Sequence, residues 1–221
     1  MSAKVAIVDY GMGNLYSVLR ACEHVGIPAE ITNDPAAVKS APAVILPGVG
    51  AFEDAMKELD ARKLTGPLKE SPASGKPFFG ICLGLQLMME KSFEFGTWDG
   101  LGLVKGTVTR FEAPVGEEGE KLKVPQVGWN TIHRPGGDAA RWKGSLLEDL
   151  PDASRMYFVH SYYVRPSDAS VVSSTSRYGQ IDFCSSVRVG NLFGCQWHPE
   201  RSGTEGLQMY RNFARAFRER D

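Results

Sequence analysis

Cysteine is scarce in this chain, four among 221 residues, with no CxxC pair and no His/Cys spacing of the zinc-binding kind. That argues against a disulfide framework and against a structural metal site. An excess of one charge is also missing: 25 Lys and Arg face 26 Asp and Glu, and no long run of either sign occurs. Nothing therefore points to nucleic acid or to an anionic membrane as a partner. Long apolar runs are absent as well. Near the start, one Lys precedes the short stretch Val5 to Tyr10, which Asp9 interrupts, and no small-residue cleavage site follows. The reading is a reducing, cytoplasmic compartment. No repeat, low-complexity tract or linker divides the sequence, so residues 1–221 read as one domain, and 43% apolar content is enough for a sizeable core.

The most informative segment is Pro77 to Leu87, PFFGICLGLQL, in which Cys82 is centred in Gly80-Ile-Cys82-Leu-Gly84. An apolar strand precedes it and an apolar helical stretch, Leu83 to Lys91, follows. A turn this sharp strains its central residue, and the flanking glycines remove side chains that would clash. Cys82 is thereby expected at the C-terminal edge of a sheet and at a helix N-terminus, where the dipole favours a thiolate. The Leu83 N–H is left to donate to an oxyanion. Taken alone, the same pattern also describes a buried cysteine in a glycine-rich turn.

A second segment, Gly194-Cys-Gln-Trp-His198-Pro-Glu200, decides between these readings. The strand Asn191 to Trp197 ends in an imidazole and a carboxylate two residues apart. Side chains at i and i+2 of extended chain point the same way, so Glu200 is expected to accept from one ring nitrogen of His198 while the other faces a nucleophile. Cys82, His198 and Glu200 supply nucleophile, base and orienter for acyl transfer through a thioester. Cys22, Cys184 and Cys195 read as structural, on a helix face and in strands.

Strands and helices alternate in the first half. Lys4 to Asp9 reads as a strand, and Leu15, Val18, Leu19, Cys22 and Val25 recur at helical spacing up to Gly26. Ala29 to Thr32 is a second strand, Asp34-Pro35 opens a helix, Ala43 to Leu46 is a buried strand running into Pro47-Gly-Val-Gly50, and Phe52 to Ala61 is a helix. This order predicts an α/β fold, an open, mixed and mostly parallel sheet flanked by helices, with functional groups at the C-terminal strand ends. The second half reads mainly as strands. Leu103 to Phe111 and Val124 to His133 are expected to pair as a hairpin across the polar loop Glu112 to Lys123, and a helix with Leu207, Tyr210, Phe213, Ala214 and Phe217 on one face closes the chain.

Seven segments carry a resemblance over nearly the full length: VDYGMGN, LPGVGAF, GICLGLQL, GLGLVKGTVTRF, VGWN, FVHSYY and GCQWHPERSG. With them the chain resembles the class I (triad) glutamine amidotransferases, and within that class the glutaminase subunits of imidazole glycerol phosphate synthase. The resemblance implies that Cys82 attacks the side-chain amide of glutamine, His198 moves the proton and Glu200 fixes the ring. It assigns the oxyanion donors to backbone N–H groups of Leu83 and of Val49 or Gly50. It puts Gln86, Glu94, Ser161 and Tyr162 around the amino-acid end of glutamine, with Glu94 suited to the ammonium. It implies a heterodimer with a cyclase subunit, met by Gly11 to Asn14 and Trp129, and neither cofactor nor metal. Trp197, Arg201 and Gln126 depart from the residues common in the group, and the loop Glu112 to Lys123 is longer than usual.

Without the resemblance, Gln86 reads as a helix surface residue, Tyr162 as a half-buried strand aromatic, Trp129 as a core or edge aromatic and His160 as a satisfied strand histidine. Three other readings stand beside this one. Gly11-Met-Gly13-Asn-Leu-Tyr16, with Glu30 further on, imitates a dinucleotide fingerprint, although Tyr16 replaces its third glycine. A cysteine peptidase shares the elbow. A non-catalytic binding module would give the Cys/His/Glu set no reason to coincide.

Overall fold

Side-chain alternation along short, wholly buried strands decides the architecture. Successive strand residues face opposite sides, so a strand apolar at every position needs cover on both faces. In the computed structural model, which describes residues 4–218, Val5, Ile7, Ile45, Phe79 and Ile81 enter one core, whereas Ala6, Val8, Val44, Leu46 and Phe78 enter another.

The strands are β1 (Val5–Val8), β2 (Ala29–Thr32), β3 (Val44–Gly48), β4 (Phe78–Cys82), β5 (Met89–Ser92), β6 (Trp98–Asp99), β7 (Val104–Arg110), β8 (Gln126–Ile132), β9 (Ser154–His160), β10 (Tyr162–Pro166), β11 (Val172–Tyr178), β12 (Ile181–Val189) and β13 (Leu192–Cys195). The helices are α1 (Leu15–His24), α2 (Pro35–Ser40), α3 (Phe52–Ala61), α4 (Thr65–Ala73), α5 (Leu83–Leu87) and α6 (Gly203–Arg218). The main sheet runs β2-β1-β3-β4-β13-β12-β10-β7-β5-β6, with β11 on β12. From β2 to β13 every pairing is parallel, and beyond β13 the pairings are antiparallel except that of β5 with β7. Helices α1 and α6 cover the first core, while α2, α3, α4 and α5 cover the second. Asp34 caps α2 by accepting from the Ala36 N–H at 3.0 Å, as its position before Pro35 predicts.

Three sequence expectations need correction or completion. The helix after Cys82 does not reach Lys91 but ends at Leu87. Its would-be continuation is claimed by the incoming chain: Leu101 N–H bonds the Leu87 carbonyl, Leu103 and Val104 bond that of Met88, and Gly100 bonds that of Glu90. Met89 to Ser92 then pairs as β5, buried at its two ends and exposed between. A five-residue helix carries little macrodipole, so the dipole contributes less at Cys82 than the sequence suggested. The expected hairpin of β7 with β8 does not form either. Both edges of β7 are occupied, by β10 and by β5, and β8 pairs instead with β9 in a separate two-stranded sheet. Finally, α4 gave no signal in the sequence: Leu68 and Ser71 are its only buried residues, and its composition includes Gly66, Pro67 and Pro72.

The fold brings three C-terminal strand ends side by side. Gly48 of β3 registers with Cys82 of β4, and Ile81 of β4 registers with Cys195 of β13. The Gly48–Gly50 loop, Cys82 and the segment from Gln196 to Glu200 thus leave neighbouring strands at one edge, where open α/β sheets build their sites.

Candidate active site

Cys82 has φ +53° and ψ −108°, left-handed backbone that a non-glycine residue adopts at a cost of about 1–3 kcal/mol. Packing enforces it. A Cβ on Gly84 would stand 1.8 Å from the Leu46 carbonyl oxygen, and one on Gly80 would stand 2.4 Å from Met88 Sδ. The glycines let α5 press against β3, and the turn between β4 and α5 has no wider path.

The sulfur of Cys82 receives a hydrogen bond from Gln196 Nε2 at 3.7 Å. Gln196 is fully buried and its Oε1 accepts from Gln86 Nε2 at 3.2 Å, which also donates to the Tyr162 carbonyl at 3.0 Å. This chain of amides ties the nucleophile to β10. Sequence reasoning missed Gln196, although it lies within the GCQWHPE segment; a glutamine two residues before the histidine was the available signal. Gln86 is 6% exposed, an interior residue and not part of a helix surface.

His198 is held through its backbone: its N–H bonds the Tyr157 carbonyl at 2.9 Å, and its own carbonyl accepts from Ser202 Oγ at 2.7 Å. Its Nδ1 lies 2.8 Å from Glu200 Oε1, with both side chains buried. The contact expected from the sequence exists, but the geometry behind it differs. Pro199–Arg201 is a turn of 3-10 helix, so Glu200 folds back over His198 instead of extending beside it. Nε2 of His198 has no hydrogen-bond partner in full geometry. Burial alone would lower the His198 pKa, yet the adjacent Cys82 sulfur and the Glu200 carboxylate overcome it and hold the ring up at about 10.

Beside Cys82 opens a cavity of about 250 Å³, lined by Val49, Gly50, Cys82, Leu83, Gln86, Glu94, Pro125, Val159, His160, Ser161 and Tyr162. Every residue singled out for the oxyanion or for glutamine lines this cavity, whereas His198 does not. Partial burial raises the Glu94 carboxyl pKa, against the lowering effect of the Phe52 N–H that it accepts at 2.6 Å. A carboxylate so desolvated gains from a cation placed beside it. His160 is only half satisfied. Its Nδ1 contacts the Tyr162 carbonyl at 2.8 Å, its Nε2 has no partner, and burial pushes its pKa down to about 4.

Gly11 and Asn14 are exposed on the loop after β1. That loop abuts the Gly48–Gly50 turn: a Cβ on Gly50, which has φ +125°, would meet Met12 Cε at 2.2 Å. Glu30 pairs with Lys4 at 3.2 Å. Trp129 is 51% exposed, edge-on to Tyr157 at 6.1 Å, and Arg201 stacks over the other ring at 4.4 Å. Among the described residues no cluster of His, Cys, Asp and Glu is arranged to hold a metal ion, and no helix is long and apolar enough to cross a membrane.

The sequence profile described as Glutamine amidotransferase class-I matches residues 6–217. The chain belongs to this family. Among similar proteins is the imidazole glycerol phosphate synthase subunit HisH of Rhodopirellula baltica, 48% identical over 212 residues, with 96% of this chain and 97% of that one covered. The subunit of the same name from Geobacter metallireducens is 44% identical, with 96% and 98% covered. Among solved structures, PurLQS from Thermotoga maritima aligns with a TM-score of 0.66 over 97% of this chain and 99% of that one at 18% identity, a likeness of fold.

Proposed function

We propose that this class-I glutamine amidotransferase hydrolyses L-glutamine to glutamate and ammonia, and hands the ammonia to a cyclase subunit that makes imidazole glycerol phosphate and aminoimidazole carboxamide ribotide in histidine biosynthesis. The observation that carries the reading is the strained Cys82 on the wall of a small cavity that the partly desolvated Glu94 also lines. A nucleophile for the side-chain amide and a carboxylate for the ammonium on one cavity wall suit the two ends of glutamine. Near-full-length similarity to HisH subunits supports the pathway.

In this reading the Cys82 sulfur attacks the side-chain amide carbon, and the carbonyl pair moves onto oxygen. Backbone N–H groups of Leu83 and of Val49 or Gly50 stabilise that oxyanion, each worth a few kcal/mol in such sites, roughly 3 to 4. His198 Nε2 gives its proton to the amide nitrogen, the C–N bond breaks, and ammonia leaves a thioester. Water then attacks the thioester as His198 takes its proton, and glutamate departs with the thiolate restored. Gln196 and Glu200 act through their neighbours, the first on the sulfur and the second on the ring.

The reading extends to a cytoplasmic heterodimer in which Gly11, Asn14 and Trp129 face the cyclase. The Val49-Gly50 turn switches between orientations, and the acceptor bound to the cyclase favours the one that serves the oxyanion. Steady-state glutaminase rates test this for the chain alone, with the cyclase, and with cyclase and acceptor together. Rates that rise through the series are expected. Equal rates would leave a free-standing glutaminase and remove the coupling.

A further inference from the structure

Glu200 has two carboxylate oxygens, and Oε1 is the one engaged with His198. Oε2 is buried without a hydrogen-bond partner, and so is the hydroxyl of Tyr210. The first atom only accepts, whereas the second carries a proton to donate. Buried polar side-chain atoms are paired in the large majority of cases, so two complementary orphans in one region call for a physical account.

The two groups share a region of tight packing. Glu200 sits in the 3-10 turn that leads into α6, and Tyr210 lies two turns along the inner face of that helix. The turn and the helix are in contact, since a Cβ on Gly206 would come within 1.9 Å of the Pro199 carbonyl oxygen. Cys22 of α1 is fully buried in the same core as Tyr210. The Tyr210 ring packs against Phe79 at 6.0 Å, so the place of its hydroxyl is set by the core. Burial first, and then the Glu200 charge, hold the Tyr210 phenol well above its ordinary pKa, with smaller contributions from Cys22 and Cys195. The hydroxyl therefore keeps its proton across the physiological range and is a permanent donor.

We propose that Tyr210 is a positioning residue for the catalytic set: its hydroxyl donates to Glu200 Oε2, through a small side-chain adjustment or one bridging water, and so keeps Oε1 on His198. A carboxylate engaged through one oxygen only can swing about its terminal bond. Engaged through both, it holds the imidazole in the one orientation that presents Nε2 to Cys82. The proposal rests on the reading of Glu200 as the group that orients His198, and the test separates the two.

Tyr210→Phe removes the hydroxyl and keeps the ring, so the fold is retained; a thermal melt of the assembled heterodimer checks this. Glutaminase kcat and KM are then measured in the complex with acceptor for the parent chain, Tyr210→Phe, Glu200→Ala and the double variant. The expected result is a kcat about three- to tenfold lower in Tyr210→Phe, the worth of one hydrogen bond, with KM for glutamine unchanged and no further loss when Glu200 is already alanine. The ring proton on His198 Nδ1, followed by NMR, should also shift in Tyr210→Phe. An unchanged kcat in Tyr210→Phe, or an equal loss in both backgrounds, would overturn the proposal. Full activity in Glu200→Ala would instead overturn the role of Glu200 itself.

Discussion

Glu200 reaches His198 Nδ1 at 2.8 Å by folding back through a 3-10 turn, with Pro199 at the first position of that turn. The proline fixes φ where the turn begins and lacks only an N–H that the turn would leave unpaired. The short connection makes the pair stiff.

The two members of this pair should differ in worth. His198→Ala removes the proton carrier, whereas Glu200→Gln leaves the ring present but misdirected. In sets that act as a unit, such losses in kcat run to about 10⁶ for the base and about 10⁴ for the orienter. The expected ranking in kcat/KM for glutamine places His198→Ala below Glu200→Gln; the opposite order would make Glu200 the primary base.

His198 should titrate unusually high and depend on its neighbour for it. Its folded pKa of about 10 exceeds the unfolded value, so its stabilising contribution is complete below about pH 6.5 and disappears as pH rises through about 10. Cys82→Ala removes the first of the influences that raise the ring, while burial continues to pull it down. NMR titration of the imidazole should therefore show a lower pKa in Cys82→Ala, and chemical denaturation should show less stability lost between neutral and alkaline pH. An unmoved titration would mean that the sulfur and the ring do not interact.

The elbow glycines should prove intolerant, and Gly66 should not. In Gly84→Ala the new methyl would lie 1.8 Å from the Leu46 carbonyl oxygen, forcing α5 off β3. Overpacking of this kind costs about 1–3 kcal/mol or more and displaces the nucleophile as well. Gly66 has no atom within 4 Å of a Cβ apart from its own helix and chain neighbours, and the restriction imposed by Pro67 offsets the helix-propensity gain, so Gly66→Ala should stay within about 1 kcal/mol of the parent. Thermal melts and glutaminase assays of both variants make the comparison.

Trp129 should matter to association and not to folding. Half its surface is exposed, and its contact with the Tyr157 ring is at an edge. Trp129→Ala is expected to leave the melting temperature of the isolated chain within a degree or two, while weakening cyclase binding by about 2 kcal/mol, about thirtyfold in Kd. Calorimetric titration against the cyclase reads this directly, and unchanged affinity would move the interface elsewhere.

The elbow was legible because close packing on both sides leaves few residue types at Gly80, Cys82 and Gly84. The parallel half of the sheet was legible from its wholly apolar strands and the helical spacing between them. The end of α5 was not, because distant backbone from Gly100 to Val104 claims the carbonyls there, and no local pattern records that. The partner of β8 was hidden for a related reason: Val127 and Trp129 are exposed, so its apolar pattern could not specify a core-facing register. Gln86 and Glu94 entered through resemblance alone, since their placement depends on packing across the cavity. Gln196 escaped notice, and Tyr210 read only as part of a buried helix face, because each acts on another side chain and not on the cavity itself.

Covalent trapping tests the central claim most directly. The heterodimer is mixed with glutamine and acceptor, quenched in acid within a turnover, digested and examined by mass spectrometry. A glutamyl thioester on the peptide containing Cys82 is the expected result; Cys82→Ala should show no adduct and no glutamine hydrolysis, while the complex still makes product from added ammonia. Turnover of glutamine at a near-normal rate in Cys82→Ala, or an adduct on Cys22, Cys184 or Cys195 instead, would contradict the account.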